Sequence, residues 1–285
     1  MSFFEAFQIH SILLTTLIAG FFASIISGII GSYVVVKRIV FISGSISHSV
    51  LGGIGFSLWL QRVHHIDWLS PIHGALVAAI LSALIIGWIR LRYEEREDSA
   101  IAALWSVGMA SGMLFISQTP GFNVELTNYL VGNILWVSDT DLIFLFLLAI
   151  CVVVIVYLCH QRFLAISFDE EQARLQGLSV NSLYILLLIL IAVSIVMLVQ
   201  VVGIILVLTM LTIPPAIANL FTSRLSVMMV LAILISNLFN TFGLATAFHF
   251  DWPAGATIAL LAGLSYIFAL SFSELYRSRA KKKDH

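Results

Sequence analysis

The sequence predicts an all-α polytopic membrane protein, with about nine transmembrane helices and one short re-entrant or interfacial helix. Three observations predict it. Hydrophobic residues make up 60% of the chain and charged residues only 10%, where a soluble domain carries about 25% charged. Apolar runs long enough to cross a hydrocarbon core recur from end to end. Basic residues collect in the turns between alternate runs, as the positive-inside rule requires of cytoplasmic loops.

The elements follow in order as one transmembrane domain over residues 1–285. The run 11–36 is too long for a signal-peptide core and no basic leader precedes it, so it reads as a retained span. Gly20, Ser24, Gly28 and Ser32 recur along it every fourth residue, a small-residue face for tight packing. Lys37 and Arg38 end this span. Spans over 39–60, 71–91 and 99–117 follow, divided by a polar loop at 61–70 and a charged turn at 92–98. The piece 126–137 is apolar but too short to cross. A span over 141–159 ends at His160, Gln161 and Arg162. The run 182–221 is nearly twice one crossing, so it holds two passes or one pass and a broken helix. Pro214 and Pro215 are expected to break its second half, freeing carbonyls that need burial or a cavity. Spans over 225–244 and 255–272 lead to a basic tail, 274–285.

The chain is organised around residues 37–55. At about 1.5 Å per residue His48 lies roughly 15 Å beyond Arg38, half the thickness of a hydrocarbon core. An ionisable side chain at that depth faces the bundle interior or a water-filled path by default. Gly44, Gly52 and Gly55 share its stripe, which can line a pore or admit another helix closely. The competing reading is a buried histidine bonded to a neighbouring hydroxyl.

If the first span starts outside and 126–137 does not cross, every Lys and Arg except Arg62 falls on the cytoplasmic side. The N-terminus is then outside and the C-terminus cytoplasmic. Between spans lies a cytoplasmic segment, 167–178, with Phe168 followed by Asp169, Glu170 and Glu171 at a helix start, where the helix dipole favours acids. Ala173 and Leu175 give it an amphipathic turn, and Gly177 stands where a helix end needs a left-handed residue. It reads as a docking knob for a soluble partner, or else as a solvated connection.

Six stretches carry a family resemblance: ISGSISHSVLGGIG from Ile42, EREDSAIAALWSVGMASGMLF from Glu95, NYLVGNILWVSDTDL from Asn128, SFDEEQARLQG from Ser167, VVGIILVLTMLTIPPAIA from Val201 and FGLATAFHFDWPAGA from Phe242. Together they resemble the permease subunit of metal-ion ABC importers, the ABC-3 family that moves zinc, manganese or iron. That resemblance implies a BtuC-like type II importer working as a homodimer in a bacterial inner or cell membrane. It implies two copies of a separate ATP-binding subunit and an extracellular or periplasmic metal-binding protein. No permanently bound cofactor is expected; a divalent metal ion is the cargo, zinc first, then manganese or iron(II). Residues 168–177 match the family's coupling helix, and His48 matches a histidine of its metal path. Many members carry an aspartate four residues earlier, where this chain has Gly44. An imidazole without that carboxylate suits zinc more than manganese. Gly44, Gly52, Gly55, Pro214 and Pro215 would then pack around the path.

Lesser candidates are His64, His65 and Asp67 in one loop and His249 and Asp251 in another, all possible metal contacts. Glu125 and Asp139 flank the short helix, where a delivering protein would arrive, and Gln200 is a lone polar group expected to join helices. Cys151 and Cys159 lie roughly 12 Å apart along one helix, beyond a disulfide's reach. A net charge of −1 and the lack of a basic stripe interleaved with aromatics exclude nucleic acid as a partner. No GxxxxGK[ST] loop occurs, so the chain itself is not an ATPase. The alternative classes are a secondary metal transporter, which needs further intramembrane charges, and an intramembrane enzyme, which needs a paired catalytic set. Neither feature is in the sequence.

Overall fold

A computed structural model describes residues 11–93, 97–120 and 137–283. The helices are α1 Ser11–Val36, α2 Val40–Val63, α3 Pro71–Arg92, α4 Glu97–Ser117, α5 Asp139–Phe168, α6 Glu170–Leu175, α7 Val180–Val202, α8 Ile204–Phe221, α9 Leu225–Phe250 and α10 Ala254–Lys283. Among the described residues nine helices are long and apolar enough to cross a membrane, all of these but α6. The short piece expected at 126–137 and the candidate Glu125 lie outside the described residues, apart from Val137.

Side-chain contacts sort the helix ends. Lys37 after α1 and Arg90 in α3 both reach Glu170 of α6, and His160 of α5 touches Tyr33 of α1 and Ser226 of α9. These ends therefore share one side of the bundle, here called the basic end. At the opposite end Gln200 of α7 donates to Asp141 of α5 at 3.0 Å. α7 thus crosses away from the basic end, and α8 must return for α9 to start there. The run 182–221 is two passes, and the turn between them is one residue, Gly203, buried with φ +81° and ψ 160°. That region of backbone space is open essentially to glycine alone.

Pro214 and Pro215 do not break α8, which runs continuous to Phe221 with both rings buried. Pro215 cannot donate to the carbonyl of Leu211. A neighbour accommodates the defect: a Cβ on Gly31 of α1 would collide with that oxygen and lie 2.9 Å from Pro215 Cγ. The bare backbone of α1 packs over the freed carbonyl, which keeps it within protein.

α2 is held on two sides by glycine. Gly53 and Gly74 of α3 approach so closely that a methyl on either would strike the other's carbonyl oxygen. On the other side, a Cβ on Gly108 of α4 would sit 2.5 Å from Ser49 Cα, and one on Gly55 2.7 Å from the Gly112 oxygen. The paired positions ascend together, so α2 and α4 run parallel. α5 continues well past residue 159, since His160, Gln161 and Arg162 are tolerable helix formers and no glycine or proline stops it before Phe168. Its start is fixed by a capping box: the Asp141 amide donates to Ser138 Oγ at 3.2 Å, and the Ser138 amide donates to Asp141 Oδ2 at 3.1 Å.

Candidate functional site

Two regions hold the residues singled out above, one within the bundle around His48 and one at the basic end around α6.

The His48 ring lies on the indole of Trp105 from α4, with ring centres 4.4 Å apart and planes 16° from parallel. Gly44 makes this stack possible: a Cβ there would already stand 3.2 Å from Trp105 Cζ3, and anything longer would enter the indole. The indole therefore fills the space beside the imidazole. His48 Nδ1 is buried and has no hydrogen-bond partner among the described residues. The surrounding hydroxyls are committed to backbone instead. Ser43 donates to the Val40 carbonyl, Ser47 to Ser43 and Ser49 to Ser45, while Ser45 crosses to the Ile101 carbonyl of α4 at 2.9 Å. A histidine satisfied by a neighbouring hydroxyl is thus not what this site contains. Its free nitrogen is a donor of the kind a borderline metal ion takes. Among the described residues no group of three or more His, Cys, Asp and Glu side chains could hold a metal. One imidazole offers a single nitrogen, fewer ligands than a closed metal site takes.

Gly52 and Gly55 serve the α2 and α4 contact: a Cβ on Gly52 would meet Ser111 Oγ at 2.7 Å. Pro214 and Pro215 are both buried, and Pro215 packs against Gly31 of α1.

α6 has six residues. Asp169 caps it, accepting from the Gln172 amide at 2.9 Å, and Gly177 ends the turn at φ +79° with open space where a side chain would be. Phe168 and Leu175 are exposed, Leu175 by 89%. Ala173 is the opposite, only 1% exposed, so of the apolar pair expected on the knob it faces inward, holding α6 to its own chain. Asp169 and Glu171 are exposed. Beneath α6 a cavity of about 440 Å³ is lined by Gln161, Arg162, Asp169 and Gln172 among others.

Glu170 is tied down. Its Oε1 accepts from Lys37 Nζ at 2.6 Å and from Arg90 at 3.0 Å. Lys37 also donates to the Ile166 carbonyl at 2.6 Å, and both cations lie over the Tyr184 ring of α7, at 5.2 and 4.3 Å. Partial burial raises the Glu170 carboxyl, but the hydrogen bond and charge of Lys37, with Arg90 and Arg174, outweigh it and hold the group below its ordinary value.

The lesser candidates stay dispersed. His64 stands edge-on to Trp59 at 4.5 Å, and His65 is exposed with φ +55°. Asp67 is exposed. His249 sits edge-on to Phe250, and Asp251 caps α9 in the left-handed region at φ +54°. Asp139 is exposed in the first turn of α5, and Cys151 and Cys159 are free thiols. Sequence reasoning missed Trp105, Tyr184 and the pairing of Lys37 and Arg90 with Glu170. The cations were visible only as topology signals.

The profile of the ABC 3 transport family matches residues 9–273. A probable metal transport system membrane protein of Chlamydia pneumoniae is 50% identical over 265 residues, 93% of this chain and 90% of that one. The manganese transport system membrane protein MntC of Listeria monocytogenes is 33% identical over 273 residues, covering 96% and 95%. Among solved structures, PsaBC from Streptococcus pneumoniae in complex with Fab superposes with a TM-score of 0.82 at 29% identity, over 94% of each chain. An inward-facing putative metal-chelate type ABC transporter gives a TM-score of 0.70 at 16% identity, over 90% of this chain and 85% of that one, a likeness of fold. On that family match and those relatives, the chain belongs to the ABC 3 transport family and is a membrane permease of an ABC transporter, with ATP hydrolysis left to a separate subunit.

Proposed function

We propose that this permease imports a divalent transition-metal ion, which passes His48 on its way between two copies of the chain. The single observation that carries this reading is the buried, unpartnered Nδ1 of His48 within α2. A nitrogen left unbonded in hydrocarbon is costly, and a passing cation would complete it. Two copies about a two-fold axis would offer two such imidazoles. The basic end is then cytoplasmic, by its lysines and arginines. There Phe168 and Leu175 offer an apolar knob to each of two ATP-binding subunits. A metal-binding protein would deliver the ion at the opposite end.

Zinc is the first choice of ion on ligand chemistry, since imidazole nitrogen without carboxylate suits it. Manganese stands second, favoured by the relatives named for manganese transport. Cells lacking the subunit, grown with zinc, manganese or iron limiting in turn, decide between them. Under this proposal the deletion strain loses accumulation of one of these metals, and a strain that accumulates all three normally would refute it.

A further inference from the structure

Rigid transmission from a docking knob to a distant path needs a joint that is stiff and touches the moving helices. We infer that Glu170 is that joint, a positioning residue that couples α6 to the helix carrying His48. This rests on the reading of α6 as the docking site for the ATP-binding subunit.

The geometry is specific. Lys37 is the residue at which α1 hands over to α2: it follows Val36, Arg38 turns the chain at φ +59°, and α2 starts at Val40. A pull on Lys37 Nζ therefore acts on the foot of α2, about 12 Å below His48 along the helix. Arg90 lies in the last turn of α3, and α3 is locked to α2 by the Gly53 and Gly74 contact. One carboxylate oxygen thus grips α2 from both flanks, through its entry turn and through its neighbour. The Lys37 side chain is 4% exposed, so water cannot readily exchange for the carboxylate, and charge-assisted bonds of this length are the strong kind. Lys37 also holds the Ile166 carbonyl, so the same ammonium spans the end of α5 and the start of α6. Tyr184 beneath both cations gives them an apolar floor that limits sliding. The neighbouring acids differ: Asp169 only caps its own helix and Glu171 is exposed.

A joint of this kind predicts a loss of stoichiometry and not of assembly. The test uses vesicles holding the full permease with its ATP-binding subunit and metal-binding protein, and reads radioactive zinc or manganese moved per ATP hydrolysed. Glu170→Gln keeps the shape and removes the charge. It is expected to retain the ATP-binding subunit and hydrolyse ATP within about twofold of wild type, while metal moved per ATP falls roughly tenfold, as loss of a charged hydrogen bond implies. Glu170→Asp, which keeps the charge, recovers most of the ratio. Arg90→Gln, with one cation gone, falls between.

An unchanged ratio in Glu170→Gln overturns the inference. So does loss of the ATP-binding subunit from both Glu170→Gln and Arg90→Gln, which would make the cluster a docking or folding element. Should Glu170→Gln alone fail to assemble, Arg90→Gln carries the same readout and a wild-type ratio there is equally fatal. Wild-type complex that moves neither metal, nor iron(II) offered in the same assay, would instead refute the proposed function, so the two failures are told apart.

Discussion

His48 and Glu170 are both ionisable, and their neighbours set them opposite tasks. His48 lies flat on Trp105 with one nitrogen left over, whereas Glu170 shares one oxygen between two cations. The first arrangement leaves a nitrogen unbonded, the ligand of the proposed function, and the second fixes a position. His48→Ala should lower uptake of the transported metal by about tenfold or more, since even groups that only orient a metal ligand are worth about 10–100-fold, with the amount of subunit in the membrane unchanged. Metal accumulation beside an immunoblot checks both halves. For Glu170 the sign follows from its depressed pKa. Its contribution to stability is full above the ordinary glutamate value of 4.5 and is lost as pH falls through the lower folded value. Thermal melts of purified subunit should therefore lose stability in that acid window, and Glu170→Gln should remove that part of the pH dependence. His48 was legible in the sequence because an imidazole stands out among apolar residues. Trp105 was not, because an aromatic in a span is ordinary until a second helix is known to face it. Glu170 looked like one of three acids favoured by a helix dipole, since only the fold brings Lys37 and Arg90 to it.

Among the elements, the packing of α2 between α3 and α4 is the tightest feature, and it depends on absent side chains. Gly108→Ala places a methyl 2.5 Å from Ser49 Cα, and backbone cannot step aside; the expected cost is about 1–3 kcal/mol. Gly263 in α10 has open space at the same position, so Gly263→Ala should instead stabilise its helix by about 0.5–1 kcal/mol. Melting temperatures of the two variants in one detergent make the comparison. The stripe of small residues was readable from spacing alone, and so was its ambiguity between pore and contact. Contact is what the structure holds, because α4 brings its own glycines to meet it. On α6 the apolar pair divides: Leu175→Asp should release the ATP-binding subunit on purification while leaving the permease melt unchanged. Ala173→Asp should lower the melt, since it buries a charge against α5. The spans near 182–221 show the limit of hydropathy. Length leaves two passes and one broken pass both open, and Gly203, one glycine in an apolar run, carries no signal that the chain reverses there.

As a whole molecule the chain is a permease whose energy source lies in another subunit, and under the proposed function it supplies a path residue and a docking knob. Permease reconstituted alone in vesicles is expected to move no zinc or manganese against a gradient, and uphill uptake without added ATP-binding subunit would favour the secondary-transporter reading. The nine helices of membrane-crossing length among the described residues were legible because each must satisfy its backbone internally and so be long and apolar. Pairing with a second copy could not be read the same way, since a face for lipid and a face for another copy are both apolar.

One further consequence comes from Gly203. Because α7 and α8 meet at a single buried residue, the membrane surface between them carries no loop at all. Under the proposed function a carrier arriving from that side would find a smooth patch there, while His64, His65, Phe250 and Trp252 stand exposed at the same end. Any peptide inserted after Val202 would have to pry two crossings apart before it could be displayed.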